Sequence, residues 1–464
     1  MKKIVFTGFA FFSIANAHPL LNINVDDYEF YEKLESAKNS NKLILSIKPI
    51  SNIFSSEKGG WYIKPINNIT TKIYYTNADN LLLEGQSGIS LKKGLNAFFY
   101  EDGYISFGKN LVSYYQLRQD LNKDTKQGNL FRGYIKYKIG KFSIEAGRDN
   151  VNWGPGEYGL ILSNNTYPFP LIKLDTEQPL KFWGKWRFTI LNGWLQEKRK
   201  DFSNPKLLGL RVVWKPADWI ELGGSKTTMY GGDGRPSYKL TDYPELIFSS
   251  RDNIPGDKFD NDSRAAYDIS IFLPFKSFNI FKIYYVEAGD DIHAIWQKED
   301  RGKLVGRFPF IFMLLDPLYQ AGVLISKNNH SLRVEYVKTD YRSYIHHWYN
   351  YEGYTYKGFS LGYPYGRDVE SFLIKYIYDS KKNYRIKTQL GYYKQPVKTG
   401  DIKSKTYYGF VEFSYLLRKN IEISPYFRID KKDNIDENPL PTQFDITNKN
   451  KTFITVGLSA SINF

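Results

Sequence analysis

Phe453-Ile-Thr-Val-Gly-Leu-Ser-Ala-Ser-Ile-Asn-Phe464 closes the chain. Ile454, Val456, Leu458, Ala460, Ile462 and Phe464 fall on one face of an extended strand, and Thr455, Gly457, Ser459, Ser461 and Asn463 on the other. An apolar outside and a small, polar inside is the alternation required of a strand that crosses a membrane in a closed barrel. The competing reading, the edge strand of a soluble β-sandwich, shares the period of two.

The other end of the chain agrees with the membrane reading. Met1, Lys2 and Lys3 form a basic start, Ile4 to Ala15 is mostly apolar, and Ala15-Asn16-Ala17 is a small-x-small cleavage site. Residues 1–17 therefore read as a secretory signal peptide, with His18 the expected first mature residue. No later stretch approaches the roughly 18 apolar residues that a spanning helix needs. Only helices and closed barrels satisfy their backbone in lipid, so an integral outer-membrane barrel is expected, and a terminal aromatic such as Phe464 resembles the sorting signal of such barrels.

Composition permits this without demanding it. The mean hydropathy of −0.47 would suit a soluble protein, but barrels hide their apolar surface in alternate positions. The absence of cysteine excludes a disulfide framework and any thiolate-ligated metal. A formal charge of +15 favours anionic partners such as lipopolysaccharide phosphates or acidic polysaccharide.

Counting backwards from Phe464 gives strands over 452–464, 420–430, 405–417, 383–393 and 369–378, joined by short turns at Arg418-Lys419 and 379–382 and by outer loops 431–451, 394–404 and 341–368. Further turns are expected at 327–329, 274–277 and 216–218, and further outer loops at 289–316, 230–263 and 196–205. Upstream, strands 185–195 and 170–181 meet at Trp183-Gly184, 141–149 and 128–139 at Gly140, and 103–118 and 91–100 at Asp102-Gly103, with a first strand near 69–77. The tally is an all-β, eighteen-stranded antiparallel transmembrane barrel over 68–464. Residues 18–67 precede it as an expected periplasmic segment with one short helix between Asp26 and Lys38, where Tyr28, Phe30, Tyr31 and Leu34 recur at helical spacings. A linker, or a plug entering the barrel from below, are the alternatives for that segment.

Three groups of residues invite a chemical reading. Gly154, Gly156 and Gly159 match the spacing of a dinucleotide-binding loop, but no helical period follows Leu160, so a tight Gly/Pro loop at the outer end of a strand is expected instead. Asp290-Asp291-Ile292-His293 offers carboxylates and an imidazole at an outer strand end, yet no matching second pair is visible. His346 and His347 are adjacent, which on a strand points them apart and argues against joint metal ligation. Neither an enzyme nor a cofactor is expected.

The first of these groups carries a family resemblance. Gly147-Arg148, Trp153-Gly154-Pro155-Gly156 and Ser163-Asn164-Asn165 resemble the signature of the capsule assembly protein Wzi family, as does a second block of Tyr344, His346, Tyr349, Gly353, Tyr354, Gly358, Gly362 and Asp368. The resemblance implies an outer-membrane lectin, an eighteen-stranded barrel with a periplasmic helical bundle that helps attach capsular polysaccharide to the cell surface. Here the segment before the barrel is shorter than such a bundle.

Loop 341–368 is the candidate binding surface. It crowds Tyr344, Trp348, Tyr351 and Tyr354 together with Arg342, Lys357 and Arg367. Aromatic faces stack on the apolar face of sugar rings, and cationic groups reach carboxylates. The bland alternative is an aromatic girdle packed over the barrel mouth. Lys198-Arg199-Lys200 and Lys394, Lys398 and Lys403 add charge on other outer loops. The expected partners are capsular or other acidic surface polysaccharide, outer-membrane lipids and lipopolysaccharide, and the barrel-insertion machinery, with no nucleic acid, the protein acting as a monomer. A porin-like, anion-selective channel is the alternative function.

Overall fold

The structure is a computed structural model, described over residues 18–26, 28–52, 60–248, 256–289, 292–294, 312–314, 317–380, 383–396, 403–433, 435–436, 446–447 and 450–464. The expected signal peptide, Asp290, Asp291 and Lys398 lie outside those residues.

Eighteen long strands close into one antiparallel barrel. They are β1 (Tyr62–Leu83), β2 (Ile89–Phe107), β3 (Leu111–Leu121), β4 (Lys126–Ile139), β5 (Phe142–Asp149), β6 (Phe169–Thr176), β7 (Lys185–Trp194), β8 (Lys206–Ala217) and β9 (Ile220–Tyr230). The second half comprises β10 (Asp262–Phe272), β11 (Ile280–Gly289), β12 (Leu318–Lys327), β13 (His330–Lys338), β14 (Glu370–Asp379), β15 (Tyr384–Pro396), β16 (Lys403–Arg418), β17 (Ile421–Asp433) and β18 (Lys451–Asn463). Closure comes from β18 pairing with β1, for example Gly457 opposite Tyr74 and Thr455 opposite Thr76.

The alternation in the last strand is realised in space. Leu458 keeps 47 % of its surface exposed to the lipid side, whereas Thr455 is wholly buried on the lumen side. Aromatics exposed near the short turns, including Trp61, Phe182, Trp183, Trp219 and Phe275, form the girdle expected at a membrane interface.

One turn is displaced from its expected position. β2 runs straight through Asp102-Gly103 and turns at 108–110. Opposite it, β1 is irregular between Lys64 and Asn68, and the carbonyl of Pro65 comes so close to Gly103 that a Cβ there would overlap it. Asp102 accepts a hydrogen bond from Asn67 at 2.9 Å. The Asp-Gly pair thus serves a bulge, not a turn, which local sequence does not distinguish.

The segment before the barrel lies inside it. Its helix α1 (Tyr28–Ser36) buries Phe30, Tyr31 and Leu34 against Ile23 and Ile50. Around that small core, polar side chains reach the inward faces of strands on several sides. Asp26 pairs with Arg132 at 2.7 Å, Glu32 with Arg385 at 2.7 Å and Glu35 with Arg333 at 2.6 Å, while Lys48 of the same segment also pairs with Glu35 at 2.8 Å. Ser36 meets Ser331, and Lys33 meets Asp379, near the short turns. The periplasmic placement expected for this helix is therefore corrected to a lumenal one. The cause is charge: the inward strand faces carry arginines and lysines that need carboxylates once they are removed from water.

Candidate functional site

Beyond Asp149 the chain does not make a tight outer loop but dives into the lumen. Every residue from Asp149 to Thr166 is buried. Trp153 and Asn152 pair antiparallel with Ile47 and Lys48 of the N-terminal segment. The Trp153 indole lies against the wall at Gly209, where a Cβ would stand 2.8 Å from it. Gly159 is required for a similar reason, since a Cβ there would overlap the carbonyls of Leu162 and Trp153. Residues 160–168 contain no helix, so the glycine spacing has no phosphate-binding geometry behind it.

Ser163-Asn164-Asn165 is a junction. Asn164 donates to Asp26 at 2.9 Å and to the Gly85 carbonyl at 2.5 Å. Ser163 donates to the Gly362 carbonyl at 2.6 Å, and Asn165 to the Ser360 carbonyl at 3.3 Å. Three separate segments are thereby tied together: the N-terminal segment, the outer hairpin at 84–88 and loop 341–368. Glu84 of that hairpin grips Arg428 of β17 with both oxygens, and the Arg428 guanidinium holds the Glu84 carboxyl below its ordinary range against the opposing effect of burial.

Loop 341–368 folds down onto this inserted segment, and its aromatics divide into two kinds. Tyr344 and Tyr354 are buried and stacked, with ring planes 7° apart. Tyr354 donates to the Ile161 carbonyl at 2.9 Å, and Tyr344 donates to the Leu160 carbonyl. Arg264 of β10 covers the Tyr354 ring at 4.1 Å. These two tyrosines, which the sequence offers as candidate sugar contacts, are turned inward because the carbonyls of the inserted segment need donors.

Tyr351 is exposed at the outer surface, and Trp348 is half-buried beside it. Arg235, from the loop after β9, lies 4.2 Å from the Trp348 ring, and Phe202 packs edge-on against it. Lys200 lies 4.3 Å over the Tyr351 ring and donates to its hydroxyl at 2.6 Å. Nearby, Lys357 sits 5.0 Å over Tyr167, and burial together with the Arg148 charge lowers its ammonium pKa. Arg342 stacks on Tyr341 at 5.3 Å, and Arg367 donates to the Tyr341 carbonyl at 3.5 Å. Burial lowers the Arg367 pKa.

Arg199 differs from its exposed neighbours in the 198–200 basic run. It is a buried staple that donates to the carbonyls of Gly353 at 2.7 Å and Thr355 at 3.0 Å while pairing with Glu197 and Asp201. Asp201 sits below its ordinary pKa because Arg199 outweighs partial burial.

His346 and His347 converge instead of diverging. Their ring centroids are 4.1 Å apart, and both face Asp260. Tyr344 adopts a positive φ of 65°, so this stretch is a turn and the strand argument does not apply. Burial pushes the His346 pKa down to about 4. Phe202, Arg235 and Asp260 were not legible as site residues, because nothing local marks which outer loops meet.

A closed barrel whose lumen holds the N-terminal segment and the inserted run 149–166, under an aromatic, basic outer face, is an integral outer-membrane protein of the non-helical class. The family model for capsule assembly protein Wzi matches residues 74–439. The chain belongs to that family. Among solved structures it is similar to Wzi of Escherichia coli, an outer-membrane protein involved in group 1 capsule assembly and described as a carbohydrate-binding β-barrel. The TM-score is 0.67 at 15% identity, covering 97% of this chain and 100% of that one. It is also similar in fold to OccD3 of Pseudomonas aeruginosa, with a TM-score of 0.51 at 10% identity over 96% and 100% of the two chains. No match was found among curated protein sequences.

Proposed function

We propose that this protein is an outer-membrane lectin that holds surface or capsular polysaccharide at its outer face and helps attach or assemble it there. The observation that carries the reading is the outer ridge in which Arg235 lies over half-buried Trp348 and Lys200 over exposed Tyr351, set above the buried packing of loop 341–368 on the inserted segment. Aromatic rings with adjacent cations suit acidic sugars, because the ring stacks on the sugar's apolar face while the cation meets its carboxylate. Arg342, Lys357 and Arg367 extend the charged surface, whereas Tyr344 and Tyr354 support it from within. Each contact is weak, and a long polymer is retained by several loops acting together.

The N-terminal segment in the lumen favours this reading over an anion-selective channel, since lumenal Arg132, Arg385 and Arg333 are occupied by its carboxylates. The protein acts by binding, without catalysis, as a monomer surrounded by lipid and lipopolysaccharide after delivery by the barrel-insertion machinery.

The test is a Trp348→Ala, Tyr351→Ala double variant, assayed for heat-resistant folding and for cell-attached against released polysaccharide. Stacking contributes about 0.5–1.5 kcal/mol per ring, so the expected loss is roughly one to two orders of magnitude in affinity with folding intact. Undiminished retention by the folded variant overturns the proposal.

A further inference from the structure

Asp260 lies just before β10, and its side chain is fully buried. Its Oδ2 accepts a hydrogen bond from the Trp348 indole at 2.8 Å and stands 2.9 Å from Nε2 of His347. Its Oδ1 stands 3.7 Å from Nε2 of His346 and has no hydrogen-bond partner among the described residues. One donor atom from each of the three residues lies within 4.8 Å of the other two. A buried carboxylate oxygen left without a donor is costly, and here the carboxylate faces one imidazole nitrogen at each oxygen.

We propose that Asp260, His346 and His347 form a binding site for a divalent transition-metal ion of the zinc type. Two imidazole nitrogens and one carboxylate oxygen are a three-protein-ligand set that leaves a fourth position for water or a ligand atom. Imidazole selects zinc, copper or nickel over calcium and magnesium, which take oxygen ligands. Because the His347 side chain is 46% exposed, the open position faces the external medium. The Trp348 N–H acts as the outer partner that orients the carboxylate. Binding through Nε2 of His346 requires Nδ1 to carry the proton, so the ring gives up the long 3.3 Å contact it accepts from the Trp348 backbone. The ion clamps loop 341–368 to the loop preceding β10. None of this depends on the polysaccharide reading.

The experiment uses the whole protein in detergent, purified without a histidine tag and stripped with chelator. Zn²⁺ is titrated by calorimetry, and Co²⁺ by visible absorption. The expected result is one saturable site per chain, with the intense visible bands of a low-coordinate cobalt centre. His347→Ala, at a half-exposed position compatible with folding, weakens Zn²⁺ affinity by about tenfold or more, and Trp348→Phe by about 10–100-fold. Absence of a saturable site in the wild type, or equal affinity in wild type and folded His347→Ala, overturns the proposal. The cluster is then only a hydrogen-bonded staple between two loops.

Discussion

The side-chain amide of Asn164 donates to Oδ1 of Asp26 at 2.9 Å, joining the family signature to the segment that plugs the barrel. Asp26 also pairs with Arg132 at 2.7 Å and accepts from Ser87 at 2.7 Å. The plug and the inserted signature loop therefore share one polar junction, and each depends on the other for its buried partners.

Asp26→Ala should be strongly destabilising, because it strips a charge partner from buried Arg132 and an acceptor from Asn164. Breaking a buried pair by removing one member costs about 3–5 kcal/mol. The midpoint of heat- or denaturant-induced loss of the compact electrophoretic form measures it. An unchanged midpoint would mean that Asp149, 3.6 Å from Arg132, already satisfies the guanidinium.

Reconstituted into planar bilayers, the intact protein should be nearly silent. Deleting residues 18–52 while keeping residues 1–17 should open steady ion conductance in whatever fraction still folds. The freed lumenal arginines should make that conductance anion-selective. Equal, steady conductance from the intact protein would restore the channel reading.

Lipid-facing and lumen-facing substitutions in β18 should separate cleanly. Leu458→Lys, near the middle of the strand, should cost about 2–4 kcal/mol and reduce insertion, whereas Ser459→Lys should be milder. Removing Phe464, whose amide bonds the Asn67 carbonyl at 3.0 Å beside the closing seam, should slow assembly. The amount of folded barrel in outer-membrane fractions reads all three, and equal loss from the two lysine variants would contradict the face assignment.

Tyr354→Phe should act on stability more than on recognition. It removes the hydroxyl that bonds the Ile161 carbonyl and Thr227, both at 2.9 Å, leaving a buried acceptor unpaired at a cost of about 1–3 kcal/mol. Protease sensitivity of loop 341–368 should rise, while polysaccharide affinity of the folded protein stays close to wild type. A large affinity loss without greater loop cleavage would return Tyr354 to the binding surface.

The barrel was legible because the alternation from Ile454 to Phe464 and the sequence of short turns and long loops are local properties. Lipid exposes one face of every strand, so apolar residues must recur with a period of two wherever the chain crosses. The helix at Tyr28–Ser36 was legible for the same kind of reason, through its own periodicity. Its destination was not. Glu32 and Glu35 find Arg385 and Arg333 at sequence separations of 353 and 298 residues, and no local pattern records such a pairing. The aromatics of loop 341–368 likewise look alike in sequence; burial separates Tyr344 and Tyr354 from Trp348 and Tyr351 only once the inserted segment presents its carbonyls. The same holds for His346 and His347, whose convergence on Asp260 depends on a turn and a second loop. Periodicity alone therefore determined the wall of this barrel, while its contents and outer face were decided by the tertiary structure, because buried polar groups take their partners from wherever in the chain the fold supplies them.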